Sequence, residues 1–175
     1  MTVSAPDEKQ ELLQELNKGR EALGAVLAGV DEQLAARRPA PGRWSVLECV
    51  EHLAVAEQLM LSRLESAARS QDAPENRERE WRILSRGANR TRPMEAPEPA
   101  RPAGRFRSLA EALSAFDSVR GETVQFVERS GEFRMWMTAH PVIGPVNCHE
   151  MLLIMAIHPA RHAKQIEEIR GALGQ

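Results

Sequence analysis

Residues 147–172, NCHEMLLIMAIHPARHAKQIEEIRGA, carry the helical pattern from which the fold of this chain is inferred. Side chains recur at three- and four-residue steps, so one face of the predicted helix points towards a core. Asn147 followed by Glu150 three positions later is typical of a helix start. The inward stripe consists of Met151, Ile154, Met155, His158, His162, Gln165, Ile166 and Ile169. The segment therefore predicts a long, buried helix whose core face carries two histidines.

Two further helices are predicted in the first 69 residues. From roughly Asp7 to Ala36, leucines and a valine recur at helical spacing, and the prolines and glycine of RRPAPGR (37–43) then end this helix. Ser45 is an N-cap candidate with Glu48 as its capping-box partner. A second helix is therefore expected through VLECVEHLAVAEQLMLSRLESAAR (46–69).

A third helix is predicted from Ser108, with Glu111 as its capping-box partner, to just before Gly131. Its expected buried residues are Leu109, Leu113, Phe116 and Val127. The preceding segment, residues 70–107, is rich in Pro, Arg and Gly and holds one short helix around Trp81. A connection this long can return the chain to the same end of a bundle, so that the second and third long helices run parallel. These patterns together predict an all-α four-helix bundle with one long crossover.

Composition supports this fold and excludes several classes of protein. The 175 residues suit a single domain, residues 1–175, and the lack of tyrosine with only 4% aromatic residues favours helix over sheet. A formal charge of -2 argues against nucleic acid and anionic membranes as partners. No secretory signal and no apolar run of about 20 residues is found, so a cytoplasmic location is expected. Cys49 and Cys148 are expected to be thiols.

Three histidines form the candidate site. His158 and His162 lie four residues apart on the inward face, close enough for two imidazoles to share one cation. His52 lies on the apolar face of the second helix and also points inward. If His158 and His162 were both ordinary core residues, each would need a buried partner for its ring N–H and its protonation would disturb the core. A three-histidine site instead leaves positions open for water or a small-molecule substrate.

Neighbouring residues have two interpretations each. Glu48 can act as a general base near the site, but its capping role is the simpler account. Cys49 can be a fourth ligand, although a small buried residue is the more common situation for cysteine. Gln165 can hydrogen-bond within the site, or it needs no special role. His140 and His149 fit the helical face less well and are left out of the ligand set.

Three other features bear on the site. Pro159 removes the backbone bond to the carbonyl of Met155, so it either bends a long helix without consequence or re-aims His158. Arg120, at the edge of an apolar stripe, must be paired or face a cavity. A cluster of arginines in the crossover segment, residues 70–107, can recognise carboxylates. The interleaved acids Glu75, Glu78 and Glu80 instead favour a solvated surface. The cluster comprises Arg77, Arg79, Arg82, Arg86, Arg90 and Arg92.

Four segments resemble successive landmarks of the DinB-like family, damage-inducible four-helix-bundle proteins related to thiol-dependent S-transferases. The segments are WSVLECVEHLAVAE (44–57), EAPEPARPAGRF (95–106), HPVIGPVN (140–147) and HPARHAKQI (158–166). The resemblance implies an up-down-down-up bundle and a divalent metal, often zinc or nickel, held by His52, His158 and His162. It also implies frequent dimers and, in some members, a low-molecular-weight thiol.

The leading hypothesis is a metal-dependent enzyme, a thiol S-transferase or a hydrolase. Its three-histidine ion would activate a thiol or water for transfer to, or hydrolysis of, a small electrophile. The alternative is a non-catalytic metal-binding or dimerising helical module. A homodimer is expected in either case, because Val26, Leu61 and Val119 lie near the margins of their apolar stripes.

Overall fold

The computed structural model describes residues 5–71, 76–91 and 94–175. Within them the chain is mostly helical, and four long helices form a bundle. The helices are α1 (Ala5–Leu27), α2 (Glu32–Ala36), α3 (Val46–Glu65), α4 (Arg77–Arg86), α5 (Leu109–Arg129) and α6 (Cys148–Ala172). Among the described residues, no helix combines the length and apolar character needed to span a membrane.

The predicted N-caps set the starts of three bundle helices. Ser45 and Asn147 each accept a hydrogen bond from the third residue of the helix, whose glutamate accepts one from the cap backbone. Ser108 accepts a hydrogen bond from the Glu111 backbone in the same way. The carboxylate of Glu111, however, accepts a hydrogen bond from the backbone N–H of Arg107, the residue before the cap. This bond replaces the predicted one from the Ser108 backbone.

The first predicted helix is two helices, so the prediction of one helix from Asp7 to Ala36 is wrong. α1 ends at Leu27, and Gly29 then adopts a φ of 77°, a left-handed conformation that glycine tolerates without strain. Asp31 caps a new helix by accepting a hydrogen bond from the Leu34 backbone. Local turn and cap chemistry therefore interrupts a continuous apolar pattern.

The second long helix is shorter than predicted, because a small sheet takes its last residues. α3 ends at Glu65, and the strand β1 (Ala68–Arg69) pairs antiparallel with β2 (Trp136–His140), which pairs antiparallel with β3 (Gly144–Asn147). The sheet was not predicted, since β1 and β2 lie far apart in the sequence. It joins the end of α3 to the start of α6.

The long helices run up, down, down and up, as predicted. Residue numbers rise together through the successive contacts between α3 and α5, so these two helices run parallel. The contacts between α1 and α6 follow the same pattern. Lys9, near the start of α1, bonds the Glu128 carbonyl near the end of α5, so those two helices run in opposite directions. The parallel contacts are Glu57 with Arg120, Glu65 with Arg129, Gly19 with Ala156, and Val26 with Arg170.

The core contains the residues that were expected to mark a dimer surface. Val26, Leu61 and Val119 are 7%, 1% and 4% exposed, because neighbouring helices of the same chain cover them. They therefore give no support to the predicted homodimer. The large apolar side chains that are exposed lie elsewhere, at Leu59, Trp81, Met94, Val142 and Ile143.

Arg120 is buried at the centre of the bundle, where its guanidinium donates four hydrogen bonds. Its guanidinium donates two hydrogen bonds, of 2.7 and 2.9 Å, to the carboxylate of Glu57 on α3. It also donates to the Leu16 carbonyl at 2.8 Å and to the Met155 carbonyl at 2.9 Å. One side chain thereby links all four long helices.

The same contact resolves the role of Pro159. Proline lacks the N–H that would normally reach the Met155 carbonyl, and Arg120 supplies the missing donor. α6 continues as a single helix through this point. Gly19 of α1 packs against the Ala156 carbonyl so closely that an added Cβ would lie 2.0 Å from its oxygen. The glycine lets α1 pack closely against α6, and the carbonyl released by the proline gives Arg120 of α5 a bonding partner on α6.

Candidate metal centre

His52 is held in one orientation by the crossover segment. The ring lies on α3 and is 5% exposed. Its Nδ1 lies 2.7 Å from the carbonyl oxygen of Ala100, in a short turn formed by Glu98–Ala100, and so donates to that oxygen. This bond places the proton on Nδ1 and leaves the lone pair of Nε2 directed into the bundle.

His158 and His162 meet His52 from the opposite side. One turn apart on α6, they present their Nε2 atoms to each other at 3.1 Å, and the Nε2 atoms of His158 and His52 are 3.2 Å apart. One ligand nitrogen of each ring lies within 4.8 Å of those of the other two. The structure thus brings together the three histidines singled out in the sequence.

The arrangement fits a divalent ion. Two nitrogens bound to one tetrahedral zinc at roughly 2.0–2.1 Å are about 3.3 Å apart, close to the two separations seen here. Burial, aided by the neighbouring imidazoles, lowers the pKa of His158 and His162 well below the usual value, and burial lowers that of His52. Neutral imidazoles are the form that binds metal. The three-histidine group therefore indicates a divalent metal.

Aromatic packing supports the site from one side. Trp44, the residue before the α3 cap, lies nearly parallel to His162 with ring centroids 6.3 Å apart. Its centroid is 5.1 Å from that of His52. Nδ1 of His162 is buried without a close hydrogen-bond partner among the described residues, and the Gln165 side chain lies near enough to interact with this imidazole. This ring is thus positioned mainly by packing, in contrast to His52.

The alternative ligands and bases have other partners. Glu48 accepts hydrogen bonds from the Ser45 backbone and from Arg38, so its carboxylate serves the helix cap. Cys49 is fully buried, and burial raises the pKa of its thiol. Gln165 accepts a hydrogen bond of 3.1 Å from Arg90 beside the site. The Glu48 carboxylate is therefore already bonded, and a thiolate at Cys49 is disfavoured.

The two histidines left out of the ligand set lie in different places. His149 is buried beside Glu80 and Arg134, outside the triad. His140 accepts hydrogen bonds from the turn backbone at Val142 and Ile143 and lines the same cleft as the triad. Its proximity to the site follows from the β2–β3 turn, which was not predicted. The Ala100 carbonyl was missed as well, because a backbone acceptor carries no side-chain signal.

The triad faces a cleft of about 1660 Å³. α3 and α6 provide the three histidines, while α4, residues 94–102 and the turn between β2 and β3 form the opposing walls. The long crossover therefore covers the site, as expected for a segment that admits and holds a ligand. Of the arginine cluster, Arg79, Arg82, Arg86 and Arg90 line this cleft, whereas Arg92 and the acid Glu75 lie outside the described residues.

Two solved structures share this architecture. TT2238, a four-helix bundle protein, aligns over 91% of this chain and 98% of its own with a TM-score of 0.61 and 22% identity. YfiT from Bacillus subtilis, described as a probable metal-dependent hydrolase with an unusual four-helix bundle topology, aligns over 99% of this chain and 92% of its own with a TM-score of 0.59 and 14% identity. At these identities the likeness shows the fold.

A comparison of the sequence with curated proteins found no match. The sequence profile of the DinB superfamily, however, matches residues 15–166. That range includes the three histidines, the crossover, all of α3 and α5, and the larger part of α1 and α6. The chain belongs to the DinB superfamily.

Proposed function

We infer that this protein is a metal-dependent enzyme that acts on a small electrophile, with His52, His158 and His162 as the ligands of a divalent ion. The observation that carries this inference is the convergence of three Nε2 atoms at the wall of a large cleft. A purely structural ion would more commonly be enclosed by four protein ligands. Zinc and nickel are the ions we expect.

The ion would lower the pKa of a coordinated water or thiol towards neutrality, which supplies a nucleophile at ordinary pH. The chain's own residues orient and shield the site. The Ala100 carbonyl fixes the tautomer of His52, and Trp44 packs against two of the imidazoles. The crossover wall limits access of bulk water, which strengthens electrostatic interactions within the cleft.

The cleft is large enough for two ligands. Its volume of about 1660 Å³ exceeds the roughly 300–1000 Å³ typical of a pocket for one small molecule. This favours the transfer of a thiol to an electrophile. The description of YfiT as a probable metal-dependent hydrolase favours water as the nucleophile. Both reactions need the same ion, so the first test addresses the ion and the second the nucleophile.

The test begins with elemental analysis of protein purified without a histidine tag. We expect about one equivalent of a divalent metal in the wild type and none in His162→Ala, with both proteins folded by circular dichroism. Turnover is then measured with chlorinated and epoxide electrophiles, with water alone or with added thiols. Activity should require metal and disappear after chelation and in His162→Ala.

The non-catalytic module predicts a different pattern. If His162→Ala unfolds, the wild type unfolds on chelation, and no metal-dependent turnover is found with any thiol or with water, the ion is structural and the enzyme proposal is wrong. Light scattering at micromolar concentration then decides whether the module dimerises.

A further inference from the structure

The cleft over the triad has a charge opposite to that of the whole chain. The chain carries a formal charge of -2, yet nine arginines and three glutamates line the cleft. Six positive charges there are unmatched by lining carboxylates. A cleft with low-dielectric walls and charge of one sign concentrates ligands of the other sign. The distribution favours an anionic ligand.

Arg90 shows how a carboxylate is bound beside the triad. It donates two hydrogen bonds, of 2.9 and 3.1 Å, to the Glu168 carboxylate and a third to Gln165, one turn beyond His162. The two parallel bonds to Glu168 form a bidentate ion pair, in which the N–H groups of the guanidinium face both oxygens of the carboxylate. The Glu168 side chain is 49% exposed, so this contact lies at the edge of the cleft where a ligand can reach it.

Two more arginines flank the site without a carboxylate. Arg43 is exposed and directly precedes Trp44, which packs against His162. Arg86 is exposed on α4 with its guanidinium 5.9 Å from the Trp81 ring centroid. Neither guanidinium lies within ion-pair distance of a carboxylate in the part of the chain that the structure describes, while Arg43 is near enough to Glu168 to help lower the pKa of that carboxyl. Their donors are thus available to a ligand.

The same walls also expose apolar side chains. Leu59, Met94, Val142 and Ile143 are 38–55% exposed, and all four line the cleft. Large apolar side chains grouped around one concave surface are typical of a binding site. A simple inorganic anion would leave them in water.

We propose that the cleft binds an organic carboxylate with an apolar body, with Arg43 and Arg86 contacting the carboxylate and the exposed apolar residues contacting the body. The assignment rests on the proposed function only in treating this ligand as a substrate. The carboxylate can belong to the electrophile or to the thiol, since both would occupy the cleft.

The test compares two nearly isosteric probes, 4-phenylbutyrate and the neutral 4-phenylbutanamide, by calorimetric titration of the full-length, zinc-loaded protein. We expect the acid to bind about tenfold more tightly than the amide, and acetate to bind more weakly than the acid. The double variant Arg43→Gln/Arg86→Gln should weaken acid binding about tenfold and leave amide binding unchanged. The matched control, Arg37→Gln/Arg107→Gln, removes two exposed arginines outside the cleft and should change neither.

Two results overturn the proposal. One is equal affinity for the acid and the amide. The other is acid binding that is lost on chelation and insensitive to Arg43→Gln/Arg86→Gln, because the carboxylate would then bind the ion alone. If the protein prefers the acid but shows no metal-dependent turnover, the proposed function is wrong and the ligand class is supported. Failure of the proposed function can therefore be distinguished from failure of the carboxylate proposal.

The source of the carboxylate is tested with a second pair, 3-mercaptopropionate and the neutral 2-mercaptoethanol. Acid selectivity in this pair that is lost in Arg43→Gln/Arg86→Gln assigns the carboxylate to the thiol. Selectivity confined to the phenylbutyrate pair assigns it to the electrophile. Selectivity in neither pair overturns the proposal.

Discussion

The Glu57–Arg120 pair joins α3 to α5 and the three histidines join α3 to α6, yet the polar atoms of the two groups are bonded differently. Arg120 directs its donors to Glu57 and to two carbonyls, all within 3.0 Å. Among the histidines, Nδ1 of His52 donates to a backbone carbonyl, the Gln165 side chain interacts with His162, and the Nε2 atoms lie against one another.

The difference separates a structural polar cluster from a ligand site. Burial of polar groups is costly unless each one is bonded, and around Arg120 the protein itself provides the bonds. Around the triad the protein mainly provides packing, and the Nε2 lone pairs of the three histidines lie together beside a cleft. We therefore expect substitutions in the first cluster to change the stability of the protein, and substitutions in the second to change what it binds.

The largest effect is expected from Arg120→Met, which leaves Glu57 buried without its partner. Loss of one partner of a buried ion pair costs about 3–5 kcal/mol of unfolding free energy, measured by urea denaturation. The matched control is Arg129→Met, because Arg129 forms the exposed pair with Glu65 between the same two helices. Its loss should cost at most about 1 kcal/mol. Similar losses for both variants would contradict the distinction drawn here.

A smaller effect is expected from the ion. Zinc at one hundred times its dissociation constant should stabilise the wild type by about 2.7 kcal/mol, because it binds the folded state. His162→Ala should gain none of this stabilisation. His140→Ala, which alters a histidine of the cleft outside the triad, should gain all of it. Thermal melts with and without zinc measure the difference, and an equal gain in His162→Ala would refute the ligand assignment.

The smallest effect is expected in a third polar cluster, formed by Glu80, His149 and Arg134. Burial raises the pKa of the Glu80 carboxyl, but hydrogen bonds and charge from His149 and Arg134 outweigh this effect and lower the pKa to about 2. A lowered carboxyl pKa stabilises the fold above the unfolded value of about 4.3, and this contribution is lost as pH falls towards 2. The wild type should exceed Glu80→Gln by about 1.5 kcal/mol at pH 6, and this advantage should shrink progressively as pH falls from about 4 towards 2.

Urea denaturation of both proteins at pH 6, 4 and 3 measures this change. Glu78→Gln is the control, because the Glu78 side chain is 80% exposed and its partner Arg82 is 3.7 Å away. The control should match the wild type at each pH. A Glu80→Gln difference that is independent of pH would show that the carboxylate is not ionised in the folded protein.

Local signals in the sequence predicted the parts of the fold that depend on neighbouring residues. Ser45 and Asn147 marked the starts of α3 and α6, because a cap and its partner lie within one turn. The break near Gly29 was missed, since the apolar spacing continued through it. β1 was missed as well, because its partner lies about seventy residues away and two residues carry too little pattern.

The site divides in the same way. The sequence by itself determined that His52, His158 and His162 face inward, because helical periodicity sets the direction of a side chain from its position. Only the tertiary structure decided that the three Nε2 atoms meet, that the Ala100 carbonyl orients His52, and that Arg120 bonds the carbonyl released by Pro159. It also decided that four of the crossover arginines, Arg79, Arg82, Arg86 and Arg90, line the cleft. These contacts join residues distant in sequence, and their distances depend on how whole helices pack, which no local pattern encodes.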